Sequence, residues 1–179
     1  HNFRLAIIEN WLIFVQNALL LLLPQLSITM DYVAGFDVAM DFAVQLAESR
    51  SKDRERGHTQ LGPHRADLRL KTDLGLVEAV LSRGQKKLFI CALKLAQVAF
   101  LRANNKYCVV LLDDVASELD AVARLRLLTH LQQLDAQILM TAVEVGDVWP
   151  ILYQLDEQAK LFHVEQGEVT PTHFLKSDQ

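Results

Sequence analysis

Val109-Val110-Leu111-Leu112-Asp113-Asp114 is four apolar residues running without a break into two carboxylates. With Tyr107-Cys108 leading in, the run predicts a strand of parallel sheet buried on both faces. Adjacent carboxylates at its end resist burial unless a cation offsets their repulsion. Ligands of α/β sheets gather at the carboxyl ends of the strands. A hard ion such as Mg²⁺ is held through one or two carboxylates plus substrate phosphates. On this chemistry Asp113 holds the metal, directly or through water, and Asp114 orients an attacking water. Capping of the next helix is the plainer role open to Asp114.

Working outward, Ser117-Glu118-Leu119-Asp120 follows, with Asp120 a good N-cap for a helix from Ala121 to about Leu134. Gln137 to Thr141 predicts a second buried strand, and Trp149 to Leu155 a helix. Strand–helix–strand–helix order implies right-handed crossovers and a parallel sheet. Lys160 to Glu165 and Val169 form a closing hairpin around Gln166-Gly167. Upstream, Leu81-Ser82-Arg83-Gly84-Gln85 opens a helix reaching about Arg102 that is apolar nearly all round, so it is expected to be covered on several sides. Ser82 with Gln85 three residues later is a capping box. The same geometry makes an anion site: a hydroxyl and backbone N–H groups at a helix N-terminus, with no Cβ at Gly84 to obstruct approach. Arg83, Lys86 and Lys87 add positive charge. The pentad alone fits the cap better; the carboxylate-tipped strand that follows favours a phosphate.

Phe3 to about Leu23 predicts one helix, ended by Pro24. Its most hydrophobic run, Asn10 to Leu23, is interrupted by Asn10, Gln16 and Asn17 and is shorter than the ~20 residues that span a bilayer. It is read as a buried helix, not a membrane anchor. Starting at residue 1 without a clear cap, it suggests a chain cut from something longer. Leu26 to Tyr32 alternates as a half-buried strand does. Asp41 to about Lys52 is helical and runs through Arg50-Ser51-Lys52-Asp53-Arg54-Glu55-Arg56 to stop at Gly57. Gly62-Pro63-His64-Arg65 turns into a strand from Asp67 to Lys71, with Asp73 to Gly75 the tip of a hairpin and Leu76 to Val80 its return strand.

The chain has 51% hydrophobic residues, seven glycines and four prolines, which favours long helices and buried strands over a loop-rich fold. Net charge is −4, yet residues 50–106 hold thirteen Lys/Arg against five Asp/Glu. A basic middle on an acidic chain predicts one surface facing phosphates, against the bland alternative of solvated helix and loop charge. Arg50, Lys52, Arg54 and Arg56 lead the candidates for DNA contact, and Arg69 and Lys71 come second. Cys91 and Cys108 have no metal-like or redox-like spacing and read as reduced core residues of a cytosolic protein. His58, His64, His130, His163 and His173 show no ligand spacing and read as surface or satisfied polar residues, and no Ser/His/Asp ordering stands out. No Gly-x-x-x-x-Gly-Lys-Ser/Thr loop occurs in these 179 residues.

Four stretches, in this order and spacing, resemble the C-terminal half of the RecF family of SMC-like ABC ATPases. They are Thr59-Gln60-Leu61-Gly62-Pro63-His64-Arg65-Ala66-Asp67-Leu68, Leu81-Ser82-Arg83-Gly84-Gln85-Lys86-Lys87, Ala92-Leu93-Lys94-Leu95-Ala96-Gln97 and Leu111 to Asp120. The resemblance covers about Asp31 to Gly167. It implies an α/β fold: the C-terminal half of an ATPase head (58–179) with a mostly parallel sheet, plus a small helical lobe II portion (1–57). It also implies a cytoplasmic protein that binds ATP and Mg²⁺ and forms an ATP-dependent homodimer. Such a protein binds DNA as single strands and single/double-strand junctions. It helps load RecA at gaps with RecO and RecR, supporting replication and the SOS response.

Carried across by position, Ser82, Arg83, Gly84 and Gln85 become the signature loop, which contacts nucleotide on the partner subunit. Asp113 becomes the Walker B Mg²⁺ ligand and Asp114 the catalytic carboxylate, with Ser117, Glu118 and Asp120 in the D-loop. Two departures stand out. The wider ABC pattern has Glu at the place of Asp114, and Thr141-Ala142 occupy the place of its switch His. Without a Walker A loop the 179 residues are expected to be inactive alone, any weak DNA-dependent ATPase belonging to a longer parent. A non-catalytic interaction domain, or another SMC-like or ABC ATPase head, is the alternative.

Overall fold

The computed structural model describes residues 1–114, 119–156 and 158–172. They divide into two units, His1–Phe89 and Ile90–Gln179. The boundary expected at residue 57 lies inside the first. In that unit α1 (Asn2–Leu22) buries Trp11, Val15, Ala18, Leu19 and Leu22. Their spacing lines one face of a helix, and side chains as fully buried as Val15 and Leu22 each contribute about 2 kcal/mol. At 21 residues α1 is long and apolar enough to span a bilayer, so the argument from length fails. The buried stripe carries the reading instead, and only one side is covered: Ile13 and Leu20 are exposed.

Alternation between residues 26 and 33 gives β1 (Ile28–Val33), with Ile28, Met30 and Tyr32 on the covered side. It pairs antiparallel with β2 (Asp67–Thr72), Met30 opposite Leu70 and Tyr32 opposite Leu68. Between them runs α2 (Phe42–Arg56), where both ends are written in the sequence. The Asp41 carboxylate accepts from the N–H groups of Ala43 and Val44, and Gly57 leaves the helix at φ 73°. The buried Gln45 amide holds the preceding loop, donating to the carbonyls of Asp37 and Met40 and accepting from the Asp37 N–H.

The return strand expected over 76–80 is a correction. β3 is only Gly75–Leu76, and α3 (Val77–Val80) follows as a single helical turn. Val77, Val80 and Leu81 recur at i, i+3 and i+4, a helical period that the strand reading overlooked.

The Gly62-Pro63-His64-Arg65 turn is seated on Gly35. The Gly62 N–H donates to the Gly35 carbonyl at 3.0 Å, Arg4 donates to the Pro63 carbonyl, and the His64 ring bonds the Thr59 carbonyl. A Cβ on Gly35 would lie 2.4 Å from the Gly62 oxygen and 2.7 Å from the Arg65 carbonyl carbon, at a backbone φ of +83°. Both atoms are backbone, so nothing flexible yields. Gly35→Ala is therefore expected to destabilise the protein by about 3 kcal/mol, adding overpacking to a left-handed backbone penalty. A urea midpoint unchanged from wild type would refute the close approach.

α4 (Arg83–Ala103) begins in the first unit and continues into the second. Leu88, Phe89, Ala92, Leu95 and Ala96 are buried, but Ile90, Lys94, Gln97 and Leu101 form an open stripe, with Ile90 57% exposed. The helix is thus less enclosed than its composition predicts.

In the second unit β4 (Val109–Leu112) and β5 (Gln137–Met140) pair parallel, Leu112 beside Met140. The crossover is α5 (Ala121–Gln132), capped by the Asp120 carboxylate on the Ala123 N–H. α5 buries Ala123, Leu127, Leu128 and Leu131. The burial expected on both faces of β4 is found on one: Val110 is buried, whereas Val109 is 52% and Leu111 73% exposed. Pro150 sits in the first turn of α6 (Trp149–Leu155), as its missing N–H allows. The last hairpin, β6 (Leu161–Glu165) and β7 (Glu168–Thr172), turns at Gln166 and Gly167, both at positive φ, as a two-residue turn requires. Cys91 and Cys108 form no disulfide and are half-buried, short of the core position expected.

Candidate nucleotide site

The predicted residues fall into two groups, one in each unit. In the first, Ser82 stands at the N-terminus of α4. Its N–H donates to Gln85 Oε1 at 2.9 Å, and the Gln85 N–H donates to Ser82 Oγ at 3.3 Å. This is the reciprocal capping box read from the sequence. Ser82 and Arg83 are exposed and Gly84 and Gln85 half-buried. Because the box uses the N–H of Gln85, the earlier N–H groups of Arg83 and Gly84 remain the ones a helix leaves pointing outward. A 21-residue helix adds its dipole there, and Lys86 stands exposed one residue after Gln85. Chemically, this end of α4 presents donors and positive charge to an anion.

In the second group, β4 delivers Asp113, exposed, and Asp114, half-buried. Thr141 follows β5 directly and its N–H donates to the Leu112 carbonyl at 2.9 Å, carrying the ladder one residue further. That register sets the Thr141 hydroxyl beside the carboxylates. It donates to Asp113 Oδ1 at 2.6 Å and accepts from the Asp114 N–H at 2.9 Å. Asp114 adopts φ 44°, a conformation that Asp tolerates better than most residues.

Among the described residues no three His, Cys, Asp or Glu side chains gather as a metal cage. An exposed carboxylate with one oxygen bonded to Thr141 fits a site completed by phosphate oxygens and water, the usual way Mg²⁺ is held. Ser117 and Glu118 lie outside the described residues. Asp120 is occupied as a helix cap.

Arg50, Lys52, Arg54 and Arg56 are all exposed on α2, but they do not form one patch. Arg50 and Arg54 share one stripe and Lys52 and Arg56 another, and a two-residue step of about 200° sets these on opposite sides. Arg56 donates to Gln60 Oε1 at 2.8 Å. Asp53, between them, accepts from the Ser49 hydroxyl and the Gln60 N–H. On β2, Arg69 and Lys71 are exposed, but Lys71 pairs with Asp31 at 3.2 Å and Arg69 stands opposite Asp31 in the register.

His130 departs from the reading of the histidines as surface or satisfied residues. Burial holds its imidazole below the usual range, a hydrogen bond with Gln133 opposing, and its Nδ1 has no hydrogen-bond partner among the described residues.

A family model described as RecF/RecN/SMC N terminal domain matches residues 13–170. The chain belongs to this family. It is 50% identical over 148 residues to the DNA replication and repair protein RecF of Acinetobacter baumannii, covering 83% of this chain and 41% of that protein. The Acinetobacter baylyi RecF is 49% identical over 144 residues, covering 80% and 40%. The Pectobacterium atrosepticum RecF is 42% identical over 127 residues, covering 70% and 35%. The chain thus spans about two fifths of the length of these relatives. The solved structure of the recombination mediator protein RecF-ATP in the RecFOR pathway is similar with a TM-score of 0.65 at 23% identity, over 94% of this chain and 46% of that one. At that identity the likeness speaks for the fold, which is the α/β class with parallel strands that the sequence predicts.

Of the residues that shape the site, sequence reading missed the role of Thr141. Its place was noted only because a histidine was lacking there.

Proposed function

We propose that the chain is the C-terminal portion of a RecF-type ATPase that dimerises on ATP and binds DNA in repair. The observation that carries this is Asp113-Asp114 held at the carboxyl end of a parallel strand by one hydroxyl. The capping box at Ser82 to Gln85, which sets the N-terminus of a long helix there, and the family's solved fold support it. In this reading Asp113 holds Mg²⁺, Asp114 orients the attacking water, and Ser82, Arg83, Gly84 and Gln85 contact the γ-phosphate bound by the partner subunit. Ser117, Glu118 and Asp120 line the dimer interface. The protein works in the cytoplasm, helping to load RecA at gapped DNA with RecO and RecR during replication and the SOS response.

The test is DNA binding by the full-length protein that carries this segment. Mg²⁺ and ATP together are expected to raise duplex affinity about tenfold, an ordinary coupling between two sites. Affinity indifferent to ATP would sink the gating. Contacts to phosphates make the affinity fall steeply with salt and vary little with sequence. Because the basic residues of α2 lie on two stripes, they are tested in pairs. Changing Arg50 and Arg54 to Ala is expected to lower the log–log salt slope by about 1.8 if that stripe meets the duplex. The Lys52 and Arg56 pair then leaves the slope unchanged. Unchanged slopes for both pairs would place the DNA surface elsewhere.

A further inference from the structure

We propose that Thr141 is a positioning residue for the metal-binding carboxylate, its hydroxyl fixing Asp113 and the turn at Asp114 together. The inference rests on the reading of Asp113 as the Mg²⁺ ligand. Its geometry follows from strand register. With Leu112 beside Met140, the next residue of each strand also lies side by side, so Asp113 meets Thr141 across 28 positions of sequence.

The direction of both hydrogen bonds is fixed by chemistry. A backbone N–H only donates, so the Asp114 amide takes a lone pair of the Thr141 oxygen. An ionised carboxylate only accepts, so the one hydroxyl proton points at Asp113 Oδ1. The 2.6 Å separation is that of a charge-assisted O–H···O⁻ bond. Among the described residues Oδ2 of Asp113 carries no hydrogen bond. The hydroxyl therefore does two things at once. It locks the Asp113 side chain with one oxygen presented outward, and it anchors the amide of a residue whose φ of 44° is otherwise unfavourable. Outer-shell partners of this kind orient a ligand and tune its affinity for metal without touching the metal.

A merely structural hydroxyl would show itself in folding stability, so the readout is the Mg²⁺ requirement. In the full-length protein, ATP-driven dimerisation is followed by sedimentation across a Mg²⁺ titration for wild type, Thr141→Val, Thr141→Ser and Asp113→Asn. Nucleotide binding in EDTA and thermal melting are measured alongside. Thr141→Val keeps the shape and loses both hydrogen bonds, and its half-maximal Mg²⁺ concentration is expected to rise about tenfold. Thr141→Ser restores the hydroxyl and is expected to stay within about twofold of wild type. Binding in EDTA is expected to match wild type for both; Thr141→Val is expected to melt somewhat lower, its two hydrogen bonds being lost, and Thr141→Ser near wild type.

An unshifted Thr141→Val curve beside a shifted Asp113→Asn curve would overturn the positioning role while leaving the site reading intact. Equal shifts for Thr141→Val and Thr141→Ser would overturn it too, since the hydroxyl would then be irrelevant. Flat curves for all three variants would overturn the assignment of Asp113 itself, and this inference with it.

Discussion

Asp114→Asn is expected to slow ATP hydrolysis by the full-length protein about a hundredfold, the scale of losing a positioned acid–base group. ATP and Mg²⁺ should still bind, so the closed dimer should accumulate. The substitution is well matched to the backbone. Asp114 sits at φ 44°, where Asn is tolerated as readily as Asp, and its amide bond to Thr141 does not involve the side chain. Asp114→Ala would add backbone strain to the chemical loss and confuse the two. Asp113→Asn should behave differently, because a neutral amide is a poor ligand for a hard cation. Its hydrolysis should recover in part at raised Mg²⁺, whereas that of Asp114→Asn should not. Single-turnover hydrolysis across a Mg²⁺ titration separates them. Indistinguishable profiles would mean the two carboxylates do not divide the work in this way.

How far the sequence carries such assignments depends on whether the signal is local. The ends of α2 are legible because Asp41 and Gly57 have side-chain and backbone requirements of their own. The turn at Gln166-Gly167 is legible for the same reason. So is the reciprocal bond of Ser82 with Gln85, three residues apart. The return strand at 76–80 was misread because three apolar residues in a short window fit two periods, and the hairpin expectation selected the wrong one. The apolar run of β4 identifies a sheet strand but not how many of its faces this chain covers, and Leu111 remains open. Thr141 was out of reach because its contact with Asp113 exists only once the register of β4 with β5 is known. Gly35 was hidden likewise: its need for a bare Cα comes from Gly62 and Arg65, far along the chain.

The second large effect concerns Ser82, where a structural role and a functional one use the same atom. The capping box is present, so Ser82→Ala and Ser82→Arg both remove a helix cap at a cost of about 1 kcal/mol. Ser82→Ala loses the cap and the hydroxyl's own contact with the phosphate but leaves the N–H groups of Arg83 and Gly84 in place, so the ATP-dependent dimer of the full-length protein is expected to weaken only about tenfold. Ser82→Arg loses the same cap but places a long cation where the γ-phosphate of the partner's nucleotide must approach the N–H groups of Arg83 and Gly84. Closure is then blocked by bulk, and the ATP-dependent dimer is expected to weaken at least about a hundredfold. Nucleotide binding by one subunit should stay near wild type, because the phosphate is read in trans. Sedimentation velocity with ATP and Mg²⁺, run beside nucleotide titrations, distinguishes the cases. If Ser82→Arg dimerises as well as Ser82→Ala, the residue is a helix cap and nothing more, and the signature reading of this end of α4 fails. If both variants lose the dimer equally, the hydroxyl shared by both substitutions, and not bulk at this position, is what closure needs. A dimer lost in Ser82→Arg and weakened but kept in Ser82→Ala fits a phosphate read across the interface by the hydroxyl and the N–H groups together.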